Sequence, residues 1–364
     1  MIENEVQLKI QQKLENLLNE SGFIKSIQIK PEQKVGNFSV DLVADVQING
    51  DNDKLVVEVK SLGEPKQVRA SIQQLKQYIK LIESIGIAGD IIRYEENQIY
   101  GIVAAPYITE DSANICKENN IGFIDLAGNS YLKFGKVFIE RKNFPNPYKE
   151  KRIVKSIFTP KASRILRVML LNPKKNWQLG ELAKESDISI GQAYKVKERM
   201  LSLEYVNEEN KSIVLKKPES LLSKWAEYYN FKKNKMTDYF SFGTPKEIEN
   251  KIVEYCNKNN IKYAMTLFSG AALVSPYARY NRVFVYIKEN KDDMITVLGL
   301  KPVESGPNVT ILEPFDDGIF YGIQNINGIG VVSNIQLYLD MVGYKGRGEE
   351  TANFLLEQKI KTLW

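Results

Sequence analysis

The chain contains no histidine. That absence removes the Ser-His-Asp triad, the Cys-His dyad, the H-E-x-x-H zinc site and the kinase H-R-D loop. Any acid–base chemistry falls to carboxylates, lysine, tyrosine or metal-bound water. Cysteine is almost as scarce. Cys116 and Cys256 stand alone and far apart, which excludes a zinc cluster and a disulfide framework. Two free thiols fit a reducing compartment. The first residues, Met1-Ile2-Glu3-Asn4-Glu5, lack the basic-then-apolar layout of a secretion signal. No apolar run approaches the roughly 18 residues of a membrane span. The expectation is a soluble cytoplasmic protein with no membrane partner.

What is present is a chain of 364 residues, 43% of them hydrophobic, enough for two or three cores. Its net charge of +5 is unevenly placed. Residues 1–150 carry −3, residues 151–217 carry +8 and residues 218–364 are neutral. A basic island of domain size is the footprint expected for nucleic acid; the alternative is a solvated lysine-rich linker. These shifts, with Pro145, Pro147 and Pro160 marking a linker, give three expected domains: 1–150, 151–217 and 218–364.

In the first segment, Val6, Ile10, Leu14, Leu17 and Leu18 recur at a helical period. Phe38–Gln47 and Leu55–Val59 read as strands joined by a turn over 49–53. Val68, Ile72, Leu75, Ile79 and Ile82 return to helical spacing. A strand over 98–104, a short helix over 112–120 and strands over 121–126 and 131–139 follow. This order predicts an α/β domain with a mixed sheet.

One strand carries chemistry. Side chains alternate across a strand, so Val57 and Val59 share one face while Glu58 and Lys60 share the other. Asp41 sits in the equally apolar Ser39-Val40-Asp41-Leu42-Val43. Unpaired charges buried there would be costly, whereas a hard divalent cation suits such oxygen donors. The alternative is an ion pair on an exposed hairpin face. Asp41, sixteen intervening residues, then Glu58-Val59-Lys60 resembles the PD-(D/E)XK nuclease superfamily. Gln74 and Tyr78, at i,i+4 on the next helix, resemble the Q-x-x-x-Y element of its RecB-like members. Val40 stands where the superfamily often has proline.

The resemblance implies a restriction-endonuclease-like fold and Mg2+ (or Mn2+) held by Asp41 and Glu58. Lys60 would orient water or stabilise charge, and the whole would act as a DNA endonuclease. Glu5 is a candidate extra metal ligand, or simply an acid suited to a helix N-terminus. Asp45 shares parity with Asp41 and is a second candidate ligand. Loss of catalysis within the same fold is the remaining alternative.

The basic segment reads as helix, helix, turn, helix and two short strands: 161–171, 179–186, 189–203 and a pair around 208–211. This resembles a winged helix-turn-helix. Ser189 suits an N-cap. Ser189, Gln192, Tyr194 and Lys195 would face the major groove, with Lys197 and Arg199 further along. Gln192 can pair bidentately with adenine. Arg152, Lys155, Lys161, Arg164 and Arg167 would contact phosphates, and Lys211, Lys216 and Lys217 lie in or beside the wing. The expected partner is double-stranded DNA, the alternative a winged helix used for protein contact. A homodimer is a further expectation, because such proteins often read paired half-sites.

The last segment predicts an α+β domain. It has helical stretches near 219–233 and 245–259, strands near 263–268 and 283–287, and two helices after Ser333. Its segments Leu267–Tyr280 and Ser333–Glu350 resemble the C-terminal domain of the AbiEi antitoxins of type IV toxin–antitoxin systems. With the preceding winged helix the likeness covers about 155–364. It implies a winged-helix repressor that counters a nucleotidyltransferase-like toxin in phage defence. Lys345 and Arg347, in a glycine loop before a helix, form an anion site or merely a flexible loop. Members of that family usually begin near the winged helix, so a nuclease-like domain at 1–150 is an addition. Two readings stand: a metal-dependent nuclease directed by a winged helix, and a repressor or antitoxin with an inert nuclease fold.

Overall fold

A computed structural model describes residues 3–20, 22, 24–35, 38–48, 51–85, 99–148, 157–274, 280–344 and 348–364. It resolves into two compact units. The first is Met1–Glu150 with Ser202–Glu204; the second is Lys151–Leu201 with Tyr205–Trp364. The boundary expected at 217/218 lies inside the second unit. Among the described residues no helix is long and apolar enough to cross a membrane.

The first unit runs α1 (Glu3–Asn19), β1 (Ile24–Val35), β2 (Phe38–Ile48), β3 (Asp51–Val59), α2 (Pro65–Ile85), β4 (Ile99–Ala105), α3 (Glu110–Glu118), β5 (Gly122–Asp125), β6 (Ser130–Phe134) and β7 (Val137–Arg141). The seven strands pair in chain order. β3, β4 and β5 are parallel neighbours and the outer pairs are antiparallel. This is the expected α/β architecture with a mixed sheet. α1 packs Val6, Ile10 and Leu14 with Leu42, Leu55 and Val57. α2 packs Val68, Ile72 and Leu75 with Val43 and Val56. The strand alternation read from the sequence therefore separates two cores, one on each side of the sheet.

Two expectations need correction here. β1 was not anticipated, because Lys30, Pro31, Glu32, Gln33 and Lys34 obscure its alternation. It lies at the sheet edge, where charge and proline are tolerated. The single strand expected over 131–139 is a hairpin, β6 and β7, turning at Gly135 with φ +48°, a backbone conformation that glycine adopts without a steric penalty. Another glycine sets the approach to α2. A Cβ on Gly63 would lie 2.2 Å from the Tyr107 carbonyl oxygen, so the chain leaving β3 can pass the end of β4 only as glycine.

The second unit begins with α4 (Pro160–Leu171), α5 (Leu179–Glu185) and α6 (Ile190–Ser202), followed by the hairpin β8 (Val206–Glu209) and β9 (Ser212–Leu215). It continues through α7 (Pro218–Tyr228), β10 (Lys235–Phe240), α8 (Pro245–Lys258), β11 (Tyr263–Met265), α9 (Leu267–Val274), β12 (Val283–Ile287), α10 (Lys291–Val297), β13 (Lys301–Pro302), β14 (Val309–Glu313), β15 (Gln324–Ile326), β16 (Ile329–Val331), α11 (Asn334–Val342) and α12 (Gly348–Leu355). Seven of these strands form a mixed sheet in the order β13-β10-β14-β12-β11-β16-β15. α8 carries a full capping box, Thr244 with Glu247.

The interior of this unit holds a polar network. Asp340, fully buried on α11, accepts hydrogen bonds from Thr266 (2.6 Å), Tyr229 (2.7 Å), Gln336 (2.7 Å) and Tyr286 (3.1 Å). Gln336 in turn accepts from the Arg167 guanidinium of α4 at 2.5 Å, and that guanidinium stacks over Trp225, 5.0 Å from the ring. Burial pushes the Asp340 carboxyl up to about 6, against the pull of its donors. These residues belong to α4, α7–β10, β11, β12 and α11. α4 is therefore bonded into the core of the unit.

Candidate functional site

The site forms at the carboxyl end of β3, where ligands commonly meet α/β sheets. The β2–β3 ladder runs to the pair Leu42–Val57. Just beyond it the Asp41 side chain engages β3, Oδ2 accepting the Val59 N–H at 2.7 Å. From α1, the Gln7 amide donates to the Asp41 carbonyl at 2.7 Å. Asp41 is thus held through both its side chain and its main chain.

Glu58 is 3% exposed. A carboxylate so buried requires a compensating charge, and Lys60 supplies it, Nζ donating to Oε1 at 2.5 Å. The Lys60 side chain remains a quarter exposed. Its backbone N–H is fixed by the Ala104 carbonyl of β4 at 2.8 Å. One ammonium at the edge of the site therefore reaches both a buried carboxylate and solvent.

α2 supplies the opposing wall. Tyr78 is buried, its ring centroid 5.7 Å from that of the half-exposed Phe38. Its phenol is pushed up to about 12, first by burial and then by the charges of Glu58 and Asp41. Both carboxylates thus act on the phenol through their charge. Gln74, one helical turn earlier, is partly buried and shares that helical face by its i,i+4 spacing.

Glu5 does not join them. α1 turns Val6 inward, leaving Glu5 half exposed and paired with Lys9 at 2.6 Å. Its carboxyl is lowered by that hydrogen bond and charge. Asp45 is engaged by Lys54 at 2.6 Å and Lys30 at 3.6 Å. Among the described residues no group of three or more Asp, Glu or Cys side chains is placed to hold a metal. Asp41 and Glu58 are the two carboxylates at this end of β3 that could hold a metal. Two carboxylates fit Mg2+, which usually binds one or two and completes its octahedron with water and substrate phosphates.

The second candidate surface lies on α5–α6 and the hairpin β8–β9. Ser189 receives the Gln192 N–H at 3.3 Å, so its hydroxyl caps α6. Gln192 is half-buried, while Tyr194 and Lys195 are exposed. Lys161 is exposed at the first turn of α4, and Lys211 at the hairpin tip, where Asn210 and Lys211 both have positive φ. Arg199 is half-buried.

Three expected DNA contacts are differently employed. Lys197 is 9% exposed and bonded to Glu208 at 3.2 Å. Arg164 bridges Asp316 at 2.9 Å and Asp187 at 2.6 Å. Arg167 is the buried cation of the Asp340 network. Arg164 and Arg167 lie on a helical face covered by elements remote in sequence, whereas Lys197 is engaged by the adjoining hairpin. Arg152, Lys155, Lys345 and Arg347 lie outside the described residues.

Sequence reasoning missed Gln7, which grips Asp41, and Phe38, which packs on Tyr78. The only available signal for Phe38 was an aromatic three residues before the aspartate on the same strand.

Residues 214–361, less than half of the chain, match the family described as transcriptional regulator, AbiEi antitoxin of type IV toxin–antitoxin systems. No relative among the curated proteins matches the chain. Among solved structures, the chain is similar to a repair endonuclease from Pyrococcus abyssi at 20% identity. The match covers 32% of this chain and 46% of that one, with a TM-score of 0.22. It is also similar to EndoMS in complex with double-stranded DNA, at 21% identity over 31% of this chain and 42% of that one, TM-score 0.22. EndoMS in its apo form matches at 17% identity over 32% and 45%, TM-score 0.21. The chain thus spans less than half the length of these structures.

Proposed function

We propose that the chain is a DNA-binding protein whose first unit hydrolyses phosphodiester bonds with a divalent cation and whose α5–α6 region engages double-stranded DNA. One observation carries this reading. Asp41 accepts the Val59 N–H and Lys60 pairs with Glu58, so the three residues that resemble a nuclease constellation in sequence lie on the end of one hairpin.

Asp41 and Glu58 would hold Mg2+ or Mn2+, which when bound supplies an activated water and neutralises phosphate charge. Lys60 reaches the same edge and stabilises negative charge developing on the phosphorane oxygens. Tyr78 remains a neutral hydroxyl at physiological pH and offers a donor, not a base. Gln7 and the Val59 N–H hold Asp41 in position. No histidine is required at any step.

The test is nicking of supercoiled plasmid by the full chain in Mg2+ or Mn2+. Asp41→Ala and Lys60→Ala are each expected to abolish it. Wild-type protein inert with both ions, or variants that cut as well as wild type, would refute the proposal.

The match over 214–361 favours a second reading: a cytoplasmic transcriptional regulator and antitoxin, with a toxin as partner and the first unit binding DNA without cutting it. Under that reading the chain represses its own promoter, and Asp41→Ala leaves repression intact. A role in phage defence is compatible with either.

A further inference from the structure

We infer that Ile190, at the start of α6, reads the C5-methyl group of a thymine in the major groove, with Tyr194 closing the contact from the next turn. The inference rests on the reading of α6 as the DNA-contacting helix and deepens it by naming a base feature and the residue that recognises it. Ile190 is 61% exposed and Tyr194 51% exposed, and their i,i+4 spacing puts them on one face. α6 buries Ala193, Val196, Lys197 and Met200 and leaves Ile190 and Tyr194 exposed, with the Lys197 ammonium 5.1 Å from the Tyr194 ring.

Gly191 lies beside Ile190 in the first turn, and a Cβ there would meet nothing within 4 Å. Glycine weakens a helix, and no neighbour in the chain requires it at this position. Close approach of a surface from outside accounts for it. Two exposed apolar side chains flanking a bare stretch of helix make a shallow apolar seat, with the exposed Lys195 next to it. The segment 151–217 carries +8. That charge favours a polyanion as the occupant, and thymine is the base that offers the major groove a methyl group. Lys195 can reach a phosphate or a guanine without competing for that methyl.

Duplexes that the full chain selects from a randomised library supply the probe. Each is resynthesised with deoxyuridine in place of one thymidine at a time, which removes the methyl group and leaves base pairing unchanged. Wild-type protein is expected to lose about fourfold in affinity at one or two positions, the worth of one buried methyl group. Ile190→Ala should bind thymine and uracil duplexes equally at those positions. Alanine favours a helix more than isoleucine, so the variant should fold, which tryptophan fluorescence verifies.

Equal affinity of the wild type for thymine and uracil duplexes at every position overturns the inference and leaves DNA binding intact. If Ile190→Ala changes the sedimentation of the protein while uracil has no effect, the face is a protein interface and the inference falls. If no duplex is enriched and no salt-dependent binding appears, the underlying DNA reading falls with it.

Discussion

Two buried carboxylates, Glu58 in the first unit and Asp340 in the second, are compensated in different ways. Glu58 is paired with the Lys60 ammonium, which is itself a quarter exposed. Asp340 accepts from neutral donors, two of them tyrosines, and the Arg167 guanidinium reaches the network through Gln336. In the first case the compensating charge touches solvent and can change partners. In the second, Thr266, Gln336 and Tyr286 are buried and only Tyr229 is partly exposed, so exchange would require opening most of the core. A polar cluster at a sheet end with a solvent-exposed charge suits chemistry, whereas a largely buried network suits fixing several elements in register.

The comparison is broken most severely at Glu58. Glu58→Gln keeps the shape and removes the charge. Cleavage should fall at least about a hundredfold, since one ligand and the partner of Lys60 are lost together. The same variant should leave the second unit untouched. Trp177, Trp225 and Trp364, the only tryptophans, all lie there, so their fluorescence follows that unit alone. A shifted tryptophan unfolding midpoint in Glu58→Gln would contradict the separation.

The reverse experiment is Arg167→Ala. It strips the stacking partner from Trp225 and leaves the Gln336 carbonyl buried without its donor. The second unit should lose about 3 kcal/mol in urea unfolding followed by tryptophan fluorescence. Cleavage by the first unit should be unchanged. A loss below about 1 kcal/mol would mean that the network is ornamental.

Asp340 gives a pH signature of similar size. Its carboxyl titrates near 6 in the folded chain against the ordinary 3.8, so between those values the folded state binds more protons than the unfolded. Stability from this group is therefore greatest below pH 4 and falls as pH rises to about 6, by roughly 2–3 kcal/mol. Asp340→Asn should remove that slope, seen as the difference in tryptophan unfolding midpoint between pH 4.5 and 7 with and without the substitution. An unchanged slope would place the titration elsewhere.

How far the sequence discloses each region follows from where the contacts lie. Asp41, Glu58 and Lys60 sit within twenty residues on one hairpin, and Gln74 and Tyr78 lie a helix away. Strand and helix periodicities relate such neighbours directly. Arg167 and Gln336 are separated by 169 positions, and no local pattern ties them. Arg164 and Arg167 are hidden from the sequence for the same reason. In a segment of charge +8 they resemble phosphate contacts, but the turn at 316–320 and α11 cover the face of α4 that carries them. Lys197 was misread for a nearer reason: Glu208 of β8 folds back onto it. β1 stayed hidden because an edge strand need not alternate cleanly.

The smallest expected effect sharpens the comparison most. Tyr78 and Tyr286 are both buried phenols raised first by burial and then by carboxylate charge, but of the two Tyr286 is shown hydrogen-bonded to its carboxylate, Asp340. Tyr286→Phe removes a donor from an enclosed acceptor, so it should lower the stability of the second unit by about 1–3 kcal/mol. Tyr78→Phe keeps the ring against Phe38 and removes only a hydroxyl at the edge of the site. Its stability cost should stay under about 1 kcal/mol, with cleavage falling less than about tenfold. The pH profile of cleavage between 6 and 9 should keep its shape, because a phenol titrating near 12 is protonated throughout that range. A profile that moves in Tyr78→Phe would make the phenol a participant in proton transfer. The two tyrosines would then differ in chemistry as well as in enclosure.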